Sequence, residues 1–344
     1  MTRTYATSPH AVEALTLVTA LQNRFVSGLQ ALSFSGQQQN FKAVNWLREE
    51  GENGGGERYE SADGALFGRG SVNVSQIHYD ANPEKKLASA TAISTIIHPQ
   101  HPLAPSIHIH ISWTEMKDGN GYWRLMADLN PSNEIEADRE QFLASLKKAA
   151  PEQYNSGVVQ GERYFHIPVL GRHRGVAHFY LENHSSGDLQ ADLALATSVG
   201  EAAIDGYLAL LANHFADPIA ATAEQQAAQL AYHSLYFFQV LTLDRGTTTG
   251  LLIHNQNDVG IMGSLPAYVD RQLLSSWVAK MPTPQNQLLT QLIAALPESN
   301  PSLVNTEVKE KLAQVVRNHY KNHPEAIGMQ ASGEVIPATV KNHR

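Results

Sequence analysis

His108 and His110 stand two residues apart in Ser106–Trp113, a run whose alternation predicts a β-strand, so both imidazoles project from one face of a sheet. His-x-His on a strand is good metal-ligand geometry. His98 could approach from a neighbouring strand, and Asp128 could complete the set. The same rings also read as a polar cleft wall that hydrogen-bonds the carboxylates of a ligand. They belong to a wider concentration: nine of the sixteen histidines (His78, His98, His101, His108, His110, His166, His173, His178, His184) lie between positions 78 and 184. Asp128 closes the apolar stretch Leu125-Met-Ala-Asp-Leu-Asn-Pro131, where it is either turn chemistry or a buried carboxylate poised to take or hold a proton. Arg172 and Arg174 flank His173, and Arg245 sits in Asp244-Arg-Gly-Thr. Guanidinium is the preferred partner of carboxylates, although a structural pair within the turn also accounts for Arg245.

The elements that must position these groups follow from periodicity. Apolar residues at helical spacing predict one amphipathic helix from Pro9 to Leu32, with Ser8 as N-cap. Residues 36–64 are polar and glycine-rich, centred on Gly51–Gly56. That run lacks a following Lys-Ser/Thr and the spaced dinucleotide fingerprint, so it reads as a turn and not a phosphate cradle. Strands are expected at Ala65–Phe67, Ser71–His78, Ala92–His98, Ser106–Trp113, Tyr122–Leu129, Tyr164–Val169 and Gly175–Leu181, with a helix at Glu134–Ala150. Two long helices, Leu189–Phe215 and Ala220–Leu235, precede a strand pair at Tyr236–Leu243 and Leu251–His254. The remainder is helical, with breaks at Pro282, Pro284 and Pro297. Consecutive strands without regular crossover helices favour an α+β fold, a mainly antiparallel sheet with helices packed on it.

Composition narrows the chemistry. The chain has 344 residues and no cysteine, which excludes disulfide scaffolds, thiolate metal centres and thiol nucleophiles. A net charge of −8 argues against a dedicated nucleic-acid binder, and ionising all sixteen histidines would turn it to +8. No apolar run of membrane-spanning length is read, nor a signal peptide, so a cytoplasmic location is expected. Length admits two domains or one large one. Residues 325–344 lose apolar periodicity and are expected to form a poorly structured tail beyond a domain spanning 1–324.

From about Trp46 to Pro266 the segments resemble, in order, the oxygen-dependent coproporphyrinogen III oxidase family. They are Trp46-Leu-Arg with the glycine loop and Arg58, then Gly70-Ser-Val-Asn-Val-Ser-Gln-Ile-His78, then Ser94-Thr-Ile-Ile-His98-Pro-Gln-His-Pro-Leu-Ala-Pro-Ser-Ile-His108. Asp128-Leu-Asn-Pro131, Arg174-Gly175, Asp244-Arg-Gly-Thr, Gly250-Leu251 and Ser264-Leu-Pro266 complete the series. The resemblance implies a single domain, a flat antiparallel sheet sandwiched between helices, and a homodimer. It implies decarboxylation of two propionates of a tetrapyrrole tetracarboxylate to vinyl groups, with molecular oxygen as co-substrate. No organic cofactor is needed, and a divalent metal is admitted but not required. It gives Asp128 the pyrrole N–H groups and makes His108 a proton donor. Ser94 and His98 fall at the substrate or at a proposed metal site with His108. Arg174 and Arg245 serve the propionates or the structure around them, and His110 joins the substrate-binding set in place of an asparagine.

The chain also departs from that pattern. Ser112 stands where the family carries an arginine, and Gly121-Tyr-Trp-Arg-Leu-Met126 replaces an aromatic and glycine-rich run before the acid. His110, His173 and His178 are additions. A porphyrin- or haem-binding relative without decarboxylase activity is therefore a second expectation, and a metal-dependent oxygenase a third.

Overall fold

The computed structural model describes residues 2–216, 219–254 and 256–333. Seven strands form one antiparallel meander: β1 (Lys42–Leu47), β2 (Gly54–Ala62), β3 (Phe67–His78), β4 (Leu87–Pro99), β5 (Ser106–Met116), β6 (Gly121–Asn130) and β7 (Ala177–His184). Each pairs with its neighbour in sequence, so the single-domain, antiparallel α+β architecture is as expected.

Period-two alternation makes the sheet two-faced. Val72, Val74, Ile93, Ile97, Ile107, Ile109, Ile111, Leu125, Ala127, Leu129 and Phe179 point to one side and are buried in the main core. There they meet α1 (Pro9–Ala31), α2 (Glu136–Ala149) and α4 (Leu189–Ala216). Ser8 caps α1, its side chain accepting from the Ala11 amide. Among the described residues, α4 alone is long and apolar enough to cross a membrane by length and composition, a candidate absent from the sequence reading. Its Val199, Ala203, Tyr207 and Leu211 are nonetheless core residues.

The opposite face is polar along every central strand. Of its side chains only Ile96 joins the second core, built from α5 (Ala223–Thr242), α8 (Arg271–Trp277), α9 (Gln285–Ala295) and α10 (Thr306–Asn322). The helices on this side therefore stand off the sheet and leave a cleft.

Several expectations are corrected. The polar stretch 36–64 contains β1 and β2, because Gly56 lacks a side chain and so admits the Trp46 indole, whose Nε1 lies 2.5 Å from where a Cβ would stand. Tyr164–Val169 is not a strand: α3 (Tyr154–Phe165) occupies its start, followed by only a two-residue bridge at His166–Ile167. Tyr236–Leu243 continues α5, since a run apolar on all sides suits a helix buried between layers as well as a strand. Of Leu251–His254, the first three residues end α6 (Arg245–Ile253) and His254 is its C-cap; the N-cap is Asp244. The fraying expected from residue 325 is not found over 325–333. Pro324–Met329 forms a 3-10 turn, and the Gly333 amide donates to Glu182 at 2.9 Å. The rest of that tail, 334–344, lies outside the described residues.

Candidate active site

The polar face of β3–β6 floors the cleft, and α5, α6 and the Ser264 turn roof it. Its lining includes Ser71, Asn73, Ser94, His108, His110, Arg124, Met126, Tyr164, Tyr180, Tyr236, Asp244 and Thr247, around a chamber of 240 Å³. A second chamber of 200 Å³ shares Trp46, His110, Arg124 and Gly250 with the first. Strand register explains the floor. Ser94 pairs with His110 and His110 with Met126, while His108 pairs with Asp128 and Asp128 with His178.

Of the residues expected at the site, Ser94, His108 and His110 line the cleft. Asp128 does not: its side chain has no solvent exposure and both oxygens are taken. His178 donates from Nδ1 to Oδ1 at 2.7 Å, and Asn130 donates to Oδ2 at 2.8 Å. Arg174 reaches Oδ2 through Nε at 3.1 Å and through Nη2. Burial would raise the Asp128 carboxyl, but Arg174 and His178 outweigh it and hold it well below the usual carboxylate range. Gly175 makes this packing fit, because a Cβ there would stand 2.7 Å from Asp128 Oδ1. Arg174 itself lies between the rings of Phe165 and Tyr236, at 4.7 and 4.9 Å from their centroids.

Arg174 is also the link to the cleft. Its Nη2 donates to His108 Nδ1 at 3.1 Å. A guanidinium can only donate, so Nδ1 accepts and the ring proton of neutral His108 resides on Nε2. Burial and then Arg174 push the imidazole down to about 4, against the pull of Asp244 and Asp128. His108 is thus a neutral hydrogen-bond donor at ordinary pH. His110, whose Nε2 meets Ser112 Oγ at 3.0 Å, is lowered to about 3 by burial and then by Arg124 and His108.

His98 does not line the cleft; it is buried on the same side of the sheet, behind the Ser264 turn. Ser264 O accepts from its Nε2 at 3.1 Å, and Ser106 Oγ meets Nδ1 at 3.0 Å, so neither nitrogen is left for a metal. No cluster of three or more ligating side chains occurs among the described residues. Arg245 is buried outside the cleft, its Nη2 donating to Ala331 O at 3.1 Å. The added histidines His173 and His178 also lie outside it; His173 and Glu162 approach to 3.0 Å.

Two lining residues went unassigned in the sequence reading. Asp244 is the one carboxylate lining the main chamber among the described residues. As N-cap of α6 it accepts from the Thr247 amide at 2.7 Å, and Tyr164 OH donates to it at 2.8 Å. Burial would raise it, yet His108, in its protonated form, and the Thr247 bond bring it below its ordinary value. Arg124 was legible in principle: strand period two places it on the face of Asp128. It is the cross-strand partner of Ser112, the position where the family resemblance expects an arginine.

Comparison with known proteins bears out the family resemblance. The family profile described as Coproporphyrinogen III oxidase matches residues 13–295. The chain is similar to the human mitochondrial oxygen-dependent coproporphyrinogen-III oxidase, 28% identical over 252 residues, which is 66% of this chain and 55% of that protein. It is also similar to the oxygen-dependent coproporphyrinogen-III oxidase of Rickettsia akari (strain Hartford), 29% identical over 247 residues, covering 67% of this chain and 84% of the relative. The match to the rat enzyme spans 61% of that protein, so the chain corresponds to little more than half of the mammalian relatives. By the extent of the profile match, this chain belongs to the coproporphyrinogen III oxidase family.

Proposed function

We propose that this chain catalyses the oxygen-dependent decarboxylation of coproporphyrinogen III propionates to vinyl groups. For each propionate, the side chain loses carbon dioxide and two hydrogens, and molecular oxygen leaves as hydrogen peroxide. The homodimer and the cytoplasmic setting expected from the resemblance belong to the same proposal.

The observation that carries the reading is that Asp244 and His108 line one cleft. Asp244 is the carboxylate placed to accept from pyrrole N–H groups and to balance positive charge as the macrocycle is oxidised. His108, fixed as the Nε2–H tautomer, donates to an oxygen atom in the cleft. Asp128 acts from one layer down by holding Arg174, which in turn holds the His108 ring. Aromatic walls at Trp46, Tyr164, Tyr180 and Tyr236 suit a flat, electron-rich ligand and exclude water.

Haem ligation through the added histidines is less well served, because His173 and His178 lie outside the cleft and His110 Nε2 is engaged by Ser112. The deciding experiment incubates the protein with coproporphyrinogen III in air and under argon and separates the oxidised products chromatographically. A tricarboxylic intermediate followed by protoporphyrin, in air only, is expected. Equal traces under both gases would remove the assignment.

A further inference from the structure

Arg124, half-buried, stands out among the cations beside the cleft. Arg174 has Asp128 as counter-charge and Arg245 is bonded to a tail carbonyl. Arg124 lines both chambers, yet no carboxylate lies within ion-pair distance of it among the described residues, and its buried Nε has no hydrogen-bond partner. The groups that surround it electrostatically are Tyr180, Tyr122, Tyr164 and Glu182. A guanidinium partly withdrawn from water without a counter-ion carries a desolvation cost, which the charge of an anionic ligand would offset. Its planar fork of donors fits a carboxylate.

The neighbours fit the same occupant. Ser112 lies directly across the β5–β6 ladder and His110 two residues further along β5, both on the cleft face. Neither brings a competing negative charge. We infer that Arg124, with Ser112 beside it, is a carboxylate-recognition site that seats a propionate of the ligand and selects acidic over esterified macrocycles. The tetrapyrrole part of this inference rests on the decarboxylase reading above; the anion site itself does not. The site is defined by a cross-strand pair, so the guanidinium should work from either partner.

The test titrates coproporphyrin III, the air-stable oxidised ligand, into wild type, Arg124→Gln, and the exchange variant Ser112→Arg/Arg124→Ser, following fluorescence quenching. The tetramethyl ester serves as uncharged control, and 3-phenylpropionate at millimolar concentration, followed by ligand-observed NMR, as a carboxylate without the macrocycle. Arg124→Gln should bind coproporphyrin roughly ten- to a hundredfold more weakly and leave ester binding unchanged. The exchange variant should recover most of the loss, which a merely structural arginine would not allow. If Arg124→Gln loses its fold by circular dichroism, the exchange variant carries the comparison with wild type. Arg124-dependent binding of phenylpropionate without porphyrin binding would uphold the anion site and remove the tetrapyrrole reading. Equal binding of both acids by wild type and Arg124→Gln, or an exchange variant that folds but binds as weakly as Arg124→Gln, would overturn the inference.

Discussion

Asp128 pairs directly with His108 across the β5–β6 ladder, and Arg174 bonds to both side chains. The acid is sealed and the imidazole faces the cleft, so the guanidinium transmits position from one to the other. Three separable roles follow: charge anchor, connector and donor.

Replacing Asp128 by Asn leaves Arg174 buried without its counter-charge. Loss of one partner of such a pair costs about 3–5 kcal/mol. Chemical denaturation should show this drop in Asp128→Asn, with activity falling alongside the folded fraction. A variant as stable as wild type would mean that the pair carries no structural charge balance.

Asp244 differs because it faces the cleft while capping a helix. Asn is as good an N-cap, so Asp244→Asn should stay within about 1 kcal/mol of wild type, whereas Asp244→Ala loses roughly 1 kcal/mol of capping. Both should lower kcat by about 10²–10⁴ if the charge itself serves the reaction. Near-normal kcat in Asp244→Asn would reduce Asp244 to its capping role.

His108 and His110 make folding sensitive to mild acid. Their folded-state affinities for protons lie at about 4 and about 3, below the ordinary imidazole value, so the unfolded chain binds protons first as pH falls. Stability from each is intact above about pH 6.5 and declines toward the folded value, by about 1–2 kcal/mol per imidazole at pH 5. The Asp128 carboxylate, held low, keeps its contribution until pH falls below about 4. His110→Asn should therefore show a shallower loss of stability between pH 6.5 and 5 than wild type, measured by urea midpoints. Parallel curves would show that His110 titrates normally.

Gly175 tests the packing around the anchor. A methyl group there meets Asp128 Oδ1 and the Leu129 carbonyl, 2.7 and 2.5 Å from the Cβ position. Gly175→Ala should cost about 1–3 kcal/mol by overpacking, with a lowered melting temperature. An unchanged melting temperature would mean that the Arg174–Gly175 turn yields freely.

Much of this was legible where alternation was clean. The Ile107-Ile109-Ile111 and His108-His110 registers gave β5 its two faces directly. β1 and β2 were hidden because glycine and charged residues fill a sheet edge whose cleft side needs room for Trp46. α6 was misread because Leu251–His254 is a short apolar run that suits a strand as well as a helix end, and the Asp244 cap and packing against α10 decide for the helix. The histidine concentration proved the least direct signal. His78, His98, His101 and His184 satisfy local polar groups, and of the nine only His108 and His110 reach the cleft. Hydrogen-bond partners brought from distant segments decided that, and spacing along the chain does not encode them.

The division of the sheet into an isoleucine-rich side and a cleft side carries a consequence for change over generations. Substitutions among the cleft residues leave the main hydrophobic core untouched, and facing positions on adjacent strands are near-equivalent in reach. A guanidinium can therefore migrate one strand sideways, from position 112 to position 124, with the scaffold intact. Such a sheet works as a pegboard: the board is fixed by one face, and the pegs on the other can be rearranged.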